Sequence, residues 1–310
     1  MDRAHTPALP AYLALVAGVV ILGFSAIFVS LADAPGTVTA FYRMAIGSAV
    51  MAVPFVARRA RRATVIPKRG ALLAALAGVF FGTDVALWMT GITMGNATSP
   101  TLLGNTAPLW VGLGALLIFR ERQGKLFWSG LVVALVGAAL VLGKDLSLAT
   151  RVGIGTLLGL VASFFYAGYM LVTQRGRVHV DTLSYLWIWT TAAAAVLLVA
   201  NLALGRPLVG YAPGTWLAFA AGGVVVQVLG WLVITYAQGY IPASIASPTL
   251  VGQPVLTAVF AALFLGESLT VLHGVGGVAV LAGILMVHRS RRARPGPAAP
   301  GGPRGAGPSR

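Results

Sequence analysis

The sequence lacks cysteine altogether, which excludes a disulfide framework, a thiolate nucleophile and an iron–sulfur site. Acidic residues are scarce, at 7 of 310, and charged residues of both signs make up only 9% of the chain. A soluble domain carries roughly a quarter charged residues, because its surface must face water. With 58% hydrophobic residues, this chain is instead expected to expose much of its surface to lipid.

The residues that would support several other classes of function are missing or scattered. The sequence has four histidines, His5, His179, His273 and His288. All lie at or beyond the ends of apolar segments and show no ligand spacing, so we expect neither a metal site nor another cofactor. No glycine-rich lysine loop is present to bind ATP. The lack of Cys and of any His in the middle of an apolar segment also argues against a membrane-embedded enzyme, which needs converging nucleophile, base or metal groups.

Ten apolar segments have close to the roughly 20 residues that a helix needs to cross the hydrocarbon. They are Tyr12–Leu31, Val38–Val56, Gly70–Gly91, Ala97–Phe119, Leu126–Leu142, Val152–Thr173, Leu183–Leu204, Gly214–Tyr236, Ile241–Leu265 and Leu269–Val287. The first is longer than the apolar core of a signal peptide, so we expect it to be retained. The sequence therefore predicts an all-α polytopic membrane protein with ten transmembrane helices, a short segment 1–11 before them, and a disordered basic Pro/Gly-rich tail, 289–310, after them.

The distribution of Lys and Arg predicts the orientation. If the N-terminus is cytoplasmic, 18 of the 22 Lys and Arg residues fall on the cytoplasmic side. The outer segments then hold Lys144, Arg151 and Arg206, and Arg43 lies inside the second segment. This asymmetry is typical of an inner (plasma) membrane protein whose two termini are cytoplasmic. It also accounts for the net charge of +15 without nucleic-acid binding, which we do not expect.

The two halves of the chain repeat at a constant offset of 146 residues. At this offset the matched pairs include Ala97 with Ala243, Pro108 with Pro254, Glu121 with Glu267, Gly130 with Gly276, and Gly137 with Gly283. The predicted repeats are residues 12–142 and 152–288. Since each holds an odd number of helices, the second must enter the membrane from the opposite side. Inverted five-helix repeats around a midplane site are typical of alternating-access carriers.

A joint pattern of short motifs resembles a known family. The motifs are Phe41-Tyr42-Arg43, Gly82-Thr83-Asp84-Val85-Ala86-Leu87-Trp88, Asn96-Ala97-Thr98, Asn105 with Pro108, and Phe264-Leu265-Gly266-Glu267. Over residues 11 to 288 the sequence is similar to the EamA-domain branch of the drug/metabolite transporter superfamily. The resemblance implies two EamA-type repeats and transport, often export, of amino acids or other small metabolites. The first repeat departs from it, with Phe119-Arg120-Glu121 where Leu-Gly-Glu is usual.

Asp84 is the only acidic residue well inside a predicted span. A carboxylate there costs at least a few kcal/mol unless it faces a cavity, is paired or is protonated. Trp88 follows four residues later and so shares its helical face. Gln227 and Trp231 have the same spacing in the equivalent helix of the second half, at an offset of 143. We expect both pairs to face one central cavity; the alternative is that they pack and lock helices together.

Further binding or coupling candidates are Arg43, Asn105, Tyr166, Tyr169 and Gln253. Arg43 lies at a depth similar to that of Asp84, so it either pairs with that carboxylate or snorkels to the outer headgroups. Asn105 and Gln253 are in the helices that carry Pro108 and Pro254, where lost backbone bonds can expose carbonyl groups. For Glu121 and Glu267 we expect a structural role at helix ends.

These features predict a secondary transporter, in the exporting direction that the resemblance implies, which rocks two repeats about a central site. Its partners would be a small-molecule substrate, the lipid bilayer and, through Asp84, a proton or other coupling ion. A homodimer is also compatible with the sequence. The alternatives are an uncoupled uniporter or channel-like facilitator, which would need no coupling carboxylate, and a membrane-embedded enzyme.

Overall fold

The computed structural model describes residues 9–62, 66–94, 98–142, 153–266 and 269–292. These ranges are predominantly helical and contain no β-strand. Several predictions lie outside them, including those for Glu267, for Asn96, for Lys144 and Arg151, and for most of the basic tail.

Helices follow one another with short connections throughout the described ranges. They are α1 (Leu9–Gly23), α2 (Ser25–Leu31), α3 (Gly36–Arg62), α4 (Lys68–Thr93), α5 (Thr98–Gly104), α6 (Ala107–Phe119), α7 (Lys125–Leu142), α8 (Ile154–Gly176), α9 (Thr182–Ala203), α10 (Pro213–Ala221), a π-helical segment (Gly222–Gly230), α11 (Trp231–Gln238), α12 (Ala243–Leu250), α13 (Gln253–Leu265) and α14 (Val271–Arg292). In the described part of the chain, nine helical stretches are long and apolar enough to cross a membrane, and α7 is a shorter apolar helix. The protein is therefore an all-helical, multi-pass membrane protein, while the total of ten crossings stays a prediction.

Two of the stretches are interrupted at equivalent places, and proline accounts for both breaks. Pro108 lies in the first turn of α6, and Pro254 lies in the first turn of α13. Proline has no N–H and clashes with the carbonyl group four residues earlier, so a helix restarts more easily than it continues through it. The two breaks thus lie at the repeated prolines, whereas Pro54 and Pro248 lie inside α3 and α12.

The first stretch is also broken, at Phe24 between α1 and α2, although no proline is present there. Two carbonyl groups at this break accept hydrogen bonds from α13: Gln253 Nε2 donates to Leu22 at 3.4 Å, and Thr257 Oγ1 donates to Gly23 at 3.2 Å. Such side-chain donors make a helix break tolerable inside a membrane.

The equivalent helix of the second half, α8, runs unbroken from Ile154 to Gly176. The residues of α6 that match Gln253 and Thr257 at the offset of 146 are Ala107 and Val111, which have no side-chain donor. A break in α8 would therefore leave its carbonyl groups without these two side-chain donors. The two halves are alike in topology but differ at this point.

The π-helical segment Gly222–Gly230 changes the register between the halves. At the offset of 146, Trp189 of α9 is equivalent to Arg43 of α3. Gly78 packs tightly against the carbonyl group of Trp189, and Gly223 packs near the carbonyl group of Arg43. Packing therefore equates Gly78 with Gly223, at an offset of 145.

This register differs by two residues from the offset of 143 that matched Asp84 with Gln227. Two residues correspond to about 200° of rotation around a helix. Gln227 therefore lies on the other face of its helix from the one that the comparison with Asp84 predicts. It packs instead against Gly47 of α3.

Helices α7 and α14 are in close contact at glycine residues. A Cβ atom at Gly283 would lie 2.5 Å from the carbonyl oxygen of Gly130, and one at Gly276 would lie 2.6 Å from that of Gly137. The early part of α7 thus meets the late part of α14, so the two helices run antiparallel. Small residues permit this close approach, which is common in membrane helix pairs.

The packed centre of the molecule is an aromatic cluster at the junction of α4, α8, α9 and α11. Its rings are those of Phe81, Tyr169, Trp189 and Trp231, whose centroids lie between 4.9 and 5.7 Å apart. All four side chains are almost completely buried. The cluster joins helices of both halves. Because Phe81 belongs to it, the cluster also holds in place the part of α4 that carries Asp84.

Candidate functional site

Asp84 lies inside α4, nine residues before its end at Thr93, which is about 14 Å at a rise of 1.5 Å per residue. The residue is only partly buried. Its carboxylate makes no hydrogen bond or ion pair with any other described residue. A carboxylate without a partner among the described residues can bind a proton, a cation or a substrate.

Two aromatic residues lie beside Asp84. Tyr166 of α8 is within electrostatic reach of the carboxylate, and its hydroxyl has no hydrogen-bond partner in the part of the chain that is described. Trp88 is held in place by its indole N–H, which donates to Thr101 Oγ1 of α5 at 3.1 Å. Asp84, Tyr166 and Trp88 therefore form a candidate site between α4, α5 and α8, as a partly exposed acid flanked by aromatic rings.

Arg43 meets different surroundings. Its Nη1 donates to Ser25 Oγ of α2 at 3.1 Å, and its Nε is buried without a partner among the described residues. The ion pair found within the described ranges joins Arg58 and Asp181, at 3.8 Å. The structure therefore has no ion pair between Arg43 and Asp84.

Three of the predicted site residues belong to the packed core. Gln227 is fully buried, and its Nε2 donates to Thr190 Oγ1 at 2.9 Å. Trp231 is part of the aromatic cluster, and so is Tyr169, whose hydroxyl donates to Gln238 Oε1 at 3.3 Å. All three side chains are almost completely buried, and the two-residue register change accounts for the inward position of Gln227 and Trp231.

Asn105 and Gln253 serve the helix breaks. Asn105 Nδ2 donates to the carbonyl oxygen of Thr101 at 2.8 Å, which is a bond back to its own helix. Gln253 donates to Leu22 at the break between α1 and α2. Both amides therefore satisfy backbone carbonyl groups in this conformation, and neither is directed at Asp84.

A polar network that the sequence only partly predicts closes one end of the molecule. Glu121 accepts hydrogen bonds from Gln174 Nε2 at 3.0 Å and from Ser244 Oγ at 2.9 Å, and Gln174 Oε1 accepts from the N–H of Ala243 at 2.7 Å. These bonds tie the end of α6 to the end of α8 and the start of α12. The sequence predicted Glu121 at a helix end. It did not predict the partners of Glu121, because they are distant in the sequence and belong to no motif.

Arg177, just beyond α8, strengthens the same end. Its Nε donates to the carbonyl oxygen of Thr235 at 2.9 Å, and its Nη2 donates to Thr182 Oγ1 at 2.7 Å. Burial lowers the pKa of Arg177, and the nearby charge of Asp181 opposes this change. The Lys/Arg distribution assigned Arg177 to the cytoplasmic side, but not to a contact between helices.

The molecule also has a groove that contains none of the predicted site residues. It has a volume of about 550 Å³ and lies between α3, the start of α9 and the stretch that joins the π-helical segment to α11. The residues that line it are Val50, Met51, Pro54, Arg58, Asp181, Thr182, Leu183, Val228 and Leu232. We refer to it below as the α3–α9 groove.

In the comparison with known proteins, the same family model matches both halves of the chain. The model of the EamA-like transporter family matches residues 9–143 and again residues 153–289. An uncharacterized transporter of Archaeoglobus fulgidus is 25% identical over 276 residues, which cover 89% of this chain and 95% of the relative. The uncharacterized transporter YdfC of Bacillus subtilis is 23% identical over 195 residues, which cover 62% of this chain and 63% of that protein.

Coverage of the relatives is uneven. An uncharacterized transporter of Methanothermobacter thermautotrophicus is 25% identical over 227 residues, or 71% of this chain, and the match spans 66% of its length. The chain thus spans slightly less than two thirds of this relative and of YdfC. A protein of known crystal structure shares the fold, with a TM-score of 0.76 and 17% identity over 91% of this chain and 98% of that one.

Proposed function

The chain belongs to the EamA-like transporter family, and we propose that it is a secondary carrier that works by alternating access. It is thus a membrane transporter by family and a multi-pass protein by structure. The proposed substrate is a small metabolite that carries an ammonium group, such as an amino acid, and the proposed direction is export across the inner membrane.

The observation that carries this proposal is the state of Asp84. The residue lies inside a membrane helix and is only partly buried, and its carboxylate has no protein partner in the described ranges. Such a group is costly in the membrane unless it takes up a proton, a cation or a charged part of a substrate. An ammonium group satisfies the carboxylate directly, and the rings of Tyr166 and Trp88 attract the same charge through their π faces.

The arrangement of helices supports alternating access. Gly130 contacts Gly283, and Gly137 contacts Gly276. At the offset of 146 the sequence equivalents are instead Gly130 with Gly276 and Gly137 with Gly283. Exchanged contacts of this kind are expected at a two-fold interface, where the same surfaces of two copies meet. An antiparallel crossing of equivalent helices fits two inverted five-helix repeats, which can rock about a site between them.

The polar network at one end supports the same mechanism. Glu121, Gln174 and Ser244 join helices of both halves, and Arg177 adds bonds to Thr182 and Thr235. Hydrogen bonds of this kind can break and re-form as the halves rock, because each is worth only roughly 1.5–3 kcal/mol net. We propose that they close the cytoplasmic gate in this conformation.

Transport by a charge-neutral variant tests the role of Asp84. The protein would be reconstituted into liposomes and assayed by counterflow with a panel of labelled amino acids, amines and carboxylic acids, with and without an imposed proton gradient. Asp84→Asn should reduce transport of ammonium-bearing substrates by about tenfold or more, because a contact to a charged group is worth roughly 1.5–3 kcal/mol. Asp33→Asn, the same change at an exposed position between α2 and α3, is the matched control.

The outcomes separate the parts of the proposal. Selective loss in Asp84→Asn with normal folding supports an ammonium or proton at this carboxylate. Unchanged, gradient-dependent transport by Asp84→Asn removes Asp84 from the mechanism. Flux that shows no counterflow at all contradicts a carrier and favours a channel-like facilitator.

A further inference from the structure

The α3–α9 groove has two chemically different ends. Val50, Val228 and Leu232 form an apolar wall, while Arg58 and Thr182 lie at the other end. Val50 and Arg58 are eight residues apart on α3, which separates the two ends by about 12 Å. A molecule that fills the groove must therefore be amphipathic.

A second cavity extends the polar end. It has a volume of about 190 Å³, shares Arg58, Asp181 and Leu183 with the groove, and adds Arg59 and Ser184. The polar end therefore offers two guanidinium groups and two hydroxyl groups, those of Thr182 and Ser184. This donor set fits a phosphate group, which accepts hydrogen bonds from guanidinium and hydroxyl donors.

The charge around the polar end is strongly positive. Exposed Arg61, Lys68 and Arg69 lie on the same end of the molecule as the two groove arginines. The acid that lines both cavities, Asp181, pairs with Arg58 at 3.8 Å, and both side chains are about half exposed, at 49% and 54%. Exposed pairs of this kind are worth little, so the pair leaves Arg58 able to bind an anion.

The equivalent junction in the other half of the repeat has no such groove. At the offset of 146, Thr182 and Leu183 of the groove are equivalent to Gly36 and Thr37 at the start of α3. At that opposite end the side chain of Met89 covers Gly36, and Asn201 Nδ2 donates to the carbonyl oxygen of Thr37 at 3.0 Å. The same junction is therefore packed at one end and open at the other.

From this geometry we propose that the groove binds an anionic phospholipid of the membrane leaflet at the arginine-rich end. The phosphate lies at Arg58 and Arg59, and one acyl chain lies along Val50, Val228 and Leu232. Basic pockets between membrane helices on the cytoplasmic side are suited to such headgroups. The site is separate from Asp84, so the proposal does not depend on the substrate or on its coupling.

Lipid binding to the purified, delipidated protein in detergent tests the polar end. Phosphatidylglycerol and phosphatidylcholine with identical chains would be titrated, and bound lipid would be measured by native mass spectrometry. Arg58→Gln combined with Arg59→Gln should weaken phosphatidylglycerol binding on the order of 25-fold, since each basic residue contributes about 1 kcal/mol near an anionic headgroup. Arg175→Gln, an exposed arginine at the same end outside the groove, should change it little.

A second pair of variants tests the apolar end without altering charge. Val50→Trp fills the groove, whereas Val53→Trp places the same ring one turn further along α3, on a side chain that is 72% exposed and outside the groove. Val50→Trp should weaken phosphatidylglycerol binding at least fivefold more than Val53→Trp. Because all these residues are exposed or line an open space, the variants should fold.

Three results would overturn the proposal. Equal affinity for the two lipids would mean that the groove takes any apolar chain. If glycerol 3-phosphate at the same concentration displaced all the bound phosphatidylglycerol, the ligand would be a free phosphate and not a lipid. Equal losses in the groove and control variants would mean that the lipid binds elsewhere.

Discussion

At the scale of single residues, Arg43 and Asp84 both lie inside predicted spans but differ in their contacts. Arg43 donates to Ser25 and lies beside Gly222 of the π-helical segment, so it connects α3 to α2 and to that segment. Asp84 of α4 has no hydrogen-bond or ion-pair partner among the described residues. The similar depths of the two residues along their helices made a pair reasonable, but depth does not define the direction in which a helix presents its side chain.

A double-mutant cycle can measure which contact of Arg43 stabilises the fold. Ser25→Ala and Arg43→Ala should be coupled by about 1 kcal/mol, the range measured for side-chain hydrogen bonds within membranes. Arg43→Ala and Asp84→Ala should be additive, because the two side chains do not touch. Thermal unfolding in detergent gives the free energies. Coupling in the second cycle and additivity in the first would contradict the structure.

At the scale of helices, packing depends on where the chain can approach closely and where backbone groups can be satisfied. The α7–α14 crossing depends on four glycines at matched positions. The α1–α2 break depends on donors of α13 that the other half lacks. Each feature depends on a neighbouring helix, so neither can be assigned to one helix alone.

The α7–α14 crossing can be tested with one added methyl group. Gly283→Ala should destabilise the protein by about 1–3 kcal/mol, the usual cost of overpacking, because the new Cβ meets the backbone of α7 at Gly130 and Ala134. Gly274→Ala is the control on the same helix, since a Cβ there meets nothing within 4 Å. This variant should be neutral or stabilising, because alanine favours a helix. Equal thermal stability of the two variants would contradict the close crossing.

At the scale of the whole molecule, one end carries most of the basic residues as well as the hydrogen-bond network of Glu121 and Arg177. The other end holds the loop between α9 and α10, where the Leu208 carbonyl accepts a hydrogen bond from Tyr42. The positive-inside bias assigns the first end to the cytoplasm.

Two single-cysteine variants can measure the orientation, since the chain has no cysteine of its own. Val178 and Val209 are matched sites, with exposed fractions of 77% and 76% in loops at opposite ends. In intact cells an impermeant thiol reagent should label Val209→Cys but not Val178→Cys. After permeabilisation both should react. Labelling of Val178→Cys in intact cells would reverse the topology.

The sequence by itself determined the features that depend on local or one-dimensional patterns. Apolar length predicts the spans, because lipid demands about 20 residues of helix. Repeated Pro108 and Pro254 predict lost backbone hydrogen bonds at matched positions, because proline has no N–H. The structure shows that the helices break there. The joint motif pattern indicated the family that the comparisons then confirmed, and Asp84 was identified because a carboxylate is exceptional in a membrane span.

Only the tertiary structure decided which faces meet. The π-helical segment rotates Gln227 and Trp231 into the core, and the donors of Gln253 and Thr257 allow a helix break that no local signal predicts. The α3–α9 groove arises where three helices far apart in sequence fail to close at one end. These features depend on register shifts of one or two residues, which rotate a helix face, and on partners in other helices. Hydrophobic periodicity specifies neither when a helix is apolar on every side.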